Sequence, residues 1–344
     1  MGESGISVII TAYNRREFLA DAINSVLHQT LDGFPFEIVV ISNFHVDVSR
    51  FNTSCEIRAV LMDGSMGEFL YKGLNTAKYD ILAFLDDDDT FDPGKLMRLT
   101  EIFSSNPGLC YYHNDVKYVD RYGYKIDYVR LVEKKSRTSI SKDLIFDAKS
   151  NLSAIKAALE NRGDFNLSSM AIRRDCYLKY LLLLKQIKSN PDGFFFWMGI
   201  ISKGQLMIDS KKLTNYRIHE MNVTGQLNFM SKGQELQKQI YTFDLILNFL
   251  AVNKDPYNIT EVIRKWVFLF KFEYELMSAI FTNSSRVGIM ILIKRLLSMN
   301  VKYTNTLKYR VLLLSVIAIL NRDFAQNFYI KVGNINQKTK SKYE

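Results

Sequence analysis

A chain of 344 residues that is 47% hydrophobic and 24% charged has the composition of a folded protein with room for one large domain or two modest ones. Five prolines and 17 glycines exclude a linker-rich or fibrous chain. The net charge of +9 sits wholly in the last third: from Gln226 onward there are 17 Lys and Arg against eight Asp and Glu, and the residues before it carry 28 of each. Two regions with different surroundings are expected.

Cys55, Cys110 and Cys176 are odd in number and show no paired spacing, so free thiols in a reducing compartment are expected. Met1-Gly2-Glu3-Ser4-Gly5 leads at once into an apolar strand without a basic leader, and the longest apolar candidate, Val311 to Leu320, falls short of the ~20 residues of a membrane span. A cytoplasmic protein, soluble or peripheral on the inner face of a membrane, follows as an expectation.

Residues 6–10 read as a buried strand. Asn14 and Glu17 have the spacing of a helix cap with its reciprocal partner, and the apolar positions Phe18, Leu19, Ala22, Ile23, Val26 and Leu27 recur at helical period. Residues 36–41 and 59–62 are further strands. Ser65 and Glu68 repeat the capping spacing before a second helical stripe, Met66, Phe69, Leu70, Gly73, Leu74 and Ala77. Residues 81–85 are apolar throughout, as a central parallel strand is. Asp92-Pro93 reads as a cap with proline in the first turn of a third helix. The alternation predicts an α/β fold, a mostly parallel Rossmann-like sheet flanked by helices. Ligands in such sheets sit beyond the carboxyl ends of the strands, which directs attention to the turns after the first and fourth strands.

The fourth strand delivers Asp86-Asp87-Asp88-Asp89. Four adjacent carboxylates repel one another and are costly to hold at a sheet end without a cation; the alternative is a solvated acidic loop. Hard oxygen ligands suit Mg²⁺ or Mn²⁺, and a metal held there neutralises a diphosphate leaving group.

Three stretches then take on a specific likeness: Ser7-Val8-Ile9-Ile10-Thr11-Ala12-Tyr13-Asn14-Arg15, Ser25-Val26-Leu27-His28-Gln29-Thr30, and Ala83-Phe84-Leu85-Asp86-Asp87-Asp88-Asp89. Together with Asp92-Pro93-Gly94-Lys95-Leu96 and Tyr216-Arg217-Ile218-His219, the chain resembles the family 2 inverting glycosyltransferases over roughly residues 5–225. The resemblance implies a GT-A fold, a nucleotide-diphosphate sugar donor (UDP-linked is the expectation), a divalent metal, and a hydroxyl of a glycan or lipid-linked acceptor in polysaccharide or glycan biosynthesis. Thr11 and Tyr13 match positions that touch the nucleotide; Asp86, with Asp87 beside it, matches the carboxylate near ribose or sugar, and Asp88 the metal ligand, with Asp89 a further candidate. His219 is a candidate for the metal or the diphosphate, and Arg217 for phosphate oxygens. Two departures stand out. Where the family has Asp-Asp-Gly-Ser, this chain has Ile41-Ser42-Asn43-Phe44, leaving Asn43 as the group that can bond a base edge; where it has Arg-Asn before the acidic run, spacing gives Leu70 and Tyr71, with Lys72 a possible substitute cation.

Transfer also needs a base to take the acceptor hydroxyl's proton. Asp192, in Asn190-Pro191-Asp192-Gly193 at a helix start, is the candidate, against the alternative of a simple capping aspartate. Trp197 is the aromatic candidate for stacking on a sugar, though the run Phe194 to Trp197 reads first as core.

The middle of the chain is less regular. Asn114-Asp115 to Gly123 reads as loop and hairpin, residues 125–142 as a basic loop with Lys134, Lys135 and Arg137, and residues 168–172 as a strand. Four helices are expected in the last third, over 236–252, 259–281, 287–299 and 307–324, followed by a polar tail from Lys331. The domain expectation is a catalytic domain over 1–225, with a nucleotide-sugar half to about 115, a helical region over 226–330, and a disordered tail over 331–344. The basic helices suit packing on the catalytic domain or an anionic membrane surface; no recognition motif for nucleic acid accompanies the charge. A sugar nucleotidyltransferase and a non-catalytic nucleotide-binding scaffold on a degenerate fold are the competing readings.

Overall fold

The structure, a computed structural model, describes residues 3–31, 33–51, 53–126, 142–147, 151–161, 163–202, 204–219, 229–253 and 259–281, with 290, 291 and 294. The chain forms two compact units, Met1–Ile126 with Arg137–Ile218, and Asp127–Ser136 with His219–Glu344.

The first unit is built on one nine-stranded sheet. Its strands are β1 (Glu3–Ala12), β2 (Phe36–Ser42), β3 (Glu56–Leu61), β4 (Tyr79–Asp86), β5 (Thr90–Phe91), β6 (Leu109–Val119), β7 (Leu144–Asp147), β8 (Met170–Arg173) and β9 (Gln205–Arg217). The order is β3-β2-β1-β4-β8-β6-β9-β5, with β7 also on β9. The half β3-β2-β1-β4 is parallel, as the unbroken apolar strands require, with Thr11 opposite Asp86 at its carboxyl edge. Beyond β4 the sheet is mixed: β8 runs antiparallel to both β4 and β6, while β6 and β9 are parallel with register shifts near Asp115.

Helices α1 (Leu19–Leu27), α2 (Met66–Thr76) and α3 (Lys95–Ser105) carry the expected stripes into the sheet. Ile6, Val8, Ile10, Ala22, Ile23, Val26, Ala83, Leu85, Leu96 and Leu99 share one core. Gly73 lets α2 lie directly on β1: a Cβ there would stand 2.6 Å from Cγ2 of Ile9. The capping box of Ser65 and Glu68 is formed in full.

Four local expectations are corrected. Asn14 does not cap α1, whose N-cap Phe18 makes no side-chain bond; Asn14 takes φ 56° and pairs with Asn43. The cap of α3 is Gly94 rather than Asp92, although Asp92 Oδ1 accepts a long bond from the Gly94 N–H, 3.4 Å. Asn114-Asp115 lies within the long strand β6, because Asn114 is buried and bonded to Thr214 on β9. Residues 167–169 form a 3₁₀ turn before β8. The Asp120–Tyr124 turn is found, with Gly123 at φ 88°. Cys110 and Cys176 are joined by a disulfide, which overturns the expectation of three free thiols; Cys55 alone is free. Their 66-residue separation hid the pairing, which depends on β6 and the segment after β8 being neighbours.

Helices α4 (Leu152–Glu160), α5 (Leu181–Leu184) and α6 (Pro191–Ile201) complete the first unit. In the second, α7 (Phe229–Val252) and α8 (Ile259–Phe281) form an antiparallel pair. Phe243 packs on Tyr274 with ring centroids 5.4 Å apart, and Lys271 bonds Asp244. Among the described residues no helix is long and apolar enough to cross a membrane. Lys134, Lys135, Arg137, the helix expected over 307–324, the tail from Lys331, and nearly all of 287–299 lie outside the described residues.

Candidate active site

The parallel half of the sheet ends in two adjacent segments, Thr11 to Arg15 after β1 and Asp86 to Asp89 after β4. Parallel register puts Thr11 beside Asp86, and the Thr11 hydroxyl donates to Asp86 Oδ1 at 3.3 Å. Tyr13 is 49% exposed, with its ring edge-on to Phe69. Asn43, at the end of β2, accepts the Asn14 N–H at 2.8 Å and returns a bond to the Asn14 side chain at 2.7 Å. The donor candidates therefore lie along one strand-end edge: Asn43, Tyr13, Thr11, then the acidic turn.

That turn is not a solvated loop. Asp87, Asp88 and Asp89 are buried, and one carboxylate oxygen from each of Asp86, Asp88 and Asp89 lies within 4.8 Å of the others. Burial pushes Asp86 far above the usual carboxylate range, and its three acidic neighbours add to the shift. Burial lifts Asp87 to about 7 against the downward pull of Arg15, and lifts Asp89 to about 7, with Asp88 adding to it and the Arg217 backbone N–H opposing it. Asp87 Oδ2 and Asp89 Oδ2 are buried without a hydrogen-bond partner. Three converging carboxylates, with one oxygen of Asp89 buried and unbonded, fit a hard divalent cation with oxygen ligands. Asp86, Asp88 and Asp89 are the residues that would hold it. His219 is buried, opens the second unit, and is not one of the three clustered ligands.

Two arginines brace the turn. Arg15, carried in the opening motif but given no role by sequence reasoning, pairs with Asp87 and lies 2.9 Å from Asp88 Oδ2. Arg217 is buried: its backbone N–H donates to Asp89 Oδ1 at 2.9 Å, Nε to the Asp88 carbonyl at 2.8 Å, Nη1 to the Arg121 carbonyl at 2.6 Å, and Nη2 to Asp21 at 3.1 Å. Its guanidinium also lies 4.6 Å from the Phe18 ring centroid. Arg217 thus clasps the turn, and the guanidinium expected to meet phosphate is taken up by protein groups.

Asp192 lies in the first turn of α6, which Asn190 caps by accepting the Gly193 N–H. Asp192 Oδ2 accepts the Asn166 N–H at 3.1 Å. Burial raises its carboxyl to about 6, Asp164 adds to the rise, and the N–H groups of Gly193 and Asn166 oppose it. A carboxylate tuned to that value is ionised at neutral pH yet basic enough to accept a proton. Trp197 is corrected: it is 1% exposed and packs on Phe196 at 5.1 Å, so its ring has no face to offer a sugar. The all-round apolar run Phe194 to Ile200 buries α6 from Gly193 to Ile200 and takes Trp197 with it. Lys72 is an exposed helix residue.

A nine-stranded α/β sheet whose central parallel strand ends in a buried aspartate turn is the architecture of a GT-A glycosyltransferase. Comparison with known proteins agrees: residues 7–163 match the model of Glycosyl transferase family 2. It is 36% identical over 110 residues to the uncharacterized glycosyltransferase alr2836 of Nostoc sp., covering 29% of this chain and 33% of that protein. It is 27% identical over 116 residues to an uncharacterized glycosyltransferase of Haemophilus influenzae, covering 33% and 39%. The matches thus span between a third and two fifths of these curated relatives. Among solved structures, S. aureus TarS 1-349 in complex with UDP superposes with a TM-score of 0.50 over 95% of this chain and 91% of that one, at 14% identity. That likeness is one of fold.

Proposed function

We propose that this chain is an inverting, metal-dependent glycosyltransferase that moves a sugar from a nucleotide-diphosphate sugar, UDP-linked, to a hydroxyl of a glycan or lipid-linked acceptor. The observation that carries the reading is the buried Asp86–Asp88–Asp89 cluster at the end of β4, with Asp192 joined to the same turn of chain that bonds Asp86. The TarS structure of like fold was solved with UDP, which favours a uridine donor here.

Thr11, Tyr13 and Asn43 hold the nucleotide at the strand-end edge, and Asp86 and Asp87 lie on the sugar side. A divalent ion, Mn²⁺ or Mg²⁺, when bound by Asp88 and its neighbours neutralises charge on the diphosphate. Asp192 takes the proton of the acceptor hydroxyl as that oxygen bonds to the anomeric carbon. The bond from that carbon to the diphosphate oxygen breaks on the opposite face, the electron pair leaves with the diphosphate, and the configuration inverts. The basic residues beyond Gln226 suit contact with an anionic membrane surface.

The test is thermal stability against a panel of nucleoside diphosphates, with and without Mn²⁺, since ligands of the native state raise the melting temperature by mass action. A shift with uridine diphosphate that requires the metal supports the reading. No shift with any of them moves the protein to the scaffold class.

A further inference from the structure

The chain from Asn166 to Ser169 is short, buried and in contact with both halves of the proposed site. Asn166 is 5% exposed; Ser168 and Ser169 are fully buried. Asn166 adopts φ 65°, a left-handed conformation that costs most residues about 1 kcal/mol or more and that asparagine tolerates best after glycine. That conformation aims the Asn166 N–H at Asp192 Oδ2, 3.1 Å, while the Asn166 Oδ1 accepts the Ser168 N–H at 3.1 Å. Two residues on, Ser168 Oγ accepts the Asp86 N–H at 3.0 Å.

Behind the turn lies a buried lysine. Lys95, from the first turn of α3, is fully buried, and its ammonium donates to the Ser168 carbonyl and to Thr214 Oγ1, 3.0 Å. Thr214 donates to the same carbonyl at 3.0 Å, and the amine stands 4.0 Å from the Phe91 ring centroid. Burying an amine is costly, and burial depresses its proton affinity strongly. A methionine would fill the volume; what only the amine adds is the grip on the Ser168 carbonyl and on Thr214, which itself donates to that carbonyl.

We propose that the Asn166–Ser169 turn is the positioning element of the transfer site: Asn166 holds Asp192, Ser168 holds Asp86, and Lys95 fixes Ser168 from behind. It sets the spacing between the proton acceptor and the donor-side carboxylate, a spacing that must be kept to within about 0.5 Å for efficient transfer. This inference rests on the reading of Asp192 as the base.

The test uses the full chain and two readouts. The first is the titration of Asp192, followed by carboxyl NMR of ¹³C-aspartate-labelled protein and assigned by its loss in Asp192→Asn. Asp164, the Tyr111 hydroxyl, and the N–H groups of Gly193 and Asn166 are the groups that face it. Asn166→Gly keeps the left-handed backbone and is expected to keep the Asp192 titration. Asn166→Val, which disfavours that backbone, is expected to move it up by about one pH unit as a donated N–H is lost. The second readout is uridine diphosphate release from UDP-glucose and UDP-N-acetylglucosamine with Mn²⁺. Lys95→Met and Ser168→Ala are expected to lower kcat roughly tenfold or more while the donor KM changes less than about twofold; Ser168→Ala also serves if Asn166→Val does not fold. Asn166→Val with an unmoved Asp192 titration, or folded Lys95→Met and Ser168→Ala variants with the wild-type kcat, overturns the proposal and leaves the function standing. Wild-type turnover by Asp192→Asn overturns the reading of the base, and this inference with it.

Discussion

The guanidinium of Arg15 closes on Asp87 and lies 2.9 Å from Asp88 Oδ2, placing one positive charge against four consecutive carboxylates. The pairing is unequal, and the surplus negative charge is buried. Arg15 is therefore a partial counter-ion, and the proposed divalent cation would supply the rest. Arg15→Met is expected to lower the melting temperature in the absence of metal at pH 8 and to enlarge the stabilisation produced by Mn²⁺. Differential scanning fluorimetry with and without the ion measures both. A metal response equal to that of the wild type would separate Arg15 from the cluster's charge balance.

Removing a ligand gives the opposite signature. Asp88→Ala should abolish the Mn²⁺-dependent stabilisation by uridine diphosphate and leave the fold intact, because Arg15 retains Asp87. Titration calorimetry with and without metal reads this directly, and metal-dependent nucleotide binding that survives the substitution would move the ion elsewhere.

Asp192 makes a prediction with a defined sign. Its folded-state value is about 6, against ~4 for an unfolded aspartate. The folded chain thus holds this proton more tightly, so the contribution to stability is complete below about pH 4 and is lost as pH rises to about 6. Asp192→Asn escapes that loss, and relative to wild type it should gain up to about 3 kcal/mol between pH 4 and pH 8 in urea unfolding. Catalysis runs the other way. Transfer should rise with pH through about 6 as the carboxylate forms, and Asp192→Asn should lose about 10²-fold or more in kcat while still binding donor.

What the sequence made legible was the parallel half of the sheet and the acidic turn, since both are written locally: apolar strands of five or more residues, a capping box, and four aspartates delivered from a buried strand. What it hid depends on contacts distant in the chain. Asp92 has the residue type of a cap, yet its carboxylate is drawn to Lys117 on β6 while Gly94 occupies the cap position. Asn14 has capping spacing but finds a better partner in Asn43, across the strand ends. Asn166, Ser168 and Lys95 carried no signal beyond the Pro93-Gly94-Lys95 motif, because their importance lies in bonds that cross from 26 to 119 residues of chain.

Arg217 is the case where residue type pointed to a ligand and geometry points to structure. Substituting it by methionine strands the carbonyls of Asp88 and Arg121 in the interior, a loss of about 3 kcal/mol. Arg217→Lys should recover little of it, since one ammonium cannot reach partners that the planar fork spans. Chemical denaturation of the three proteins provides the comparison; a large loss of donor affinity at unchanged stability would return Arg217 to the phosphate.

Trp197 separates core from sugar platform. Fully enclosed between α6 and its neighbours, Trp197→Ala should cost about 3–5 kcal/mol, and Trp197→Phe much less. Neither should alter donor or acceptor KM in the folded fraction. An acceptor KM that rises with Trp197→Phe at unchanged stability would show that the ring reaches substrate.

The disulfide between Cys110 and Cys176 closes a loop of 66 residues that contains the Asn166–Ser169 turn, Asp164 and the start of β8. By loop-closure entropy such a crosslink is worth about 4 kcal/mol, and its position ties β6 to the segment that follows β8, beneath the strands leading to the site. Cys110→Ser should therefore lower the melting temperature, and dithiothreitol should reproduce the effect in the wild type but not in the variant. The same reduction should weaken transfer more than nucleotide binding, because the loop carries the turn that holds Asp192 while the nucleotide edge belongs to β1, β2 and β4. Thiol counting under denaturing conditions, before and after reduction, establishes whether one or three cysteines react. Three reactive thiols in the native preparation would remove the crosslink, and with it the coupling between redox state and transfer.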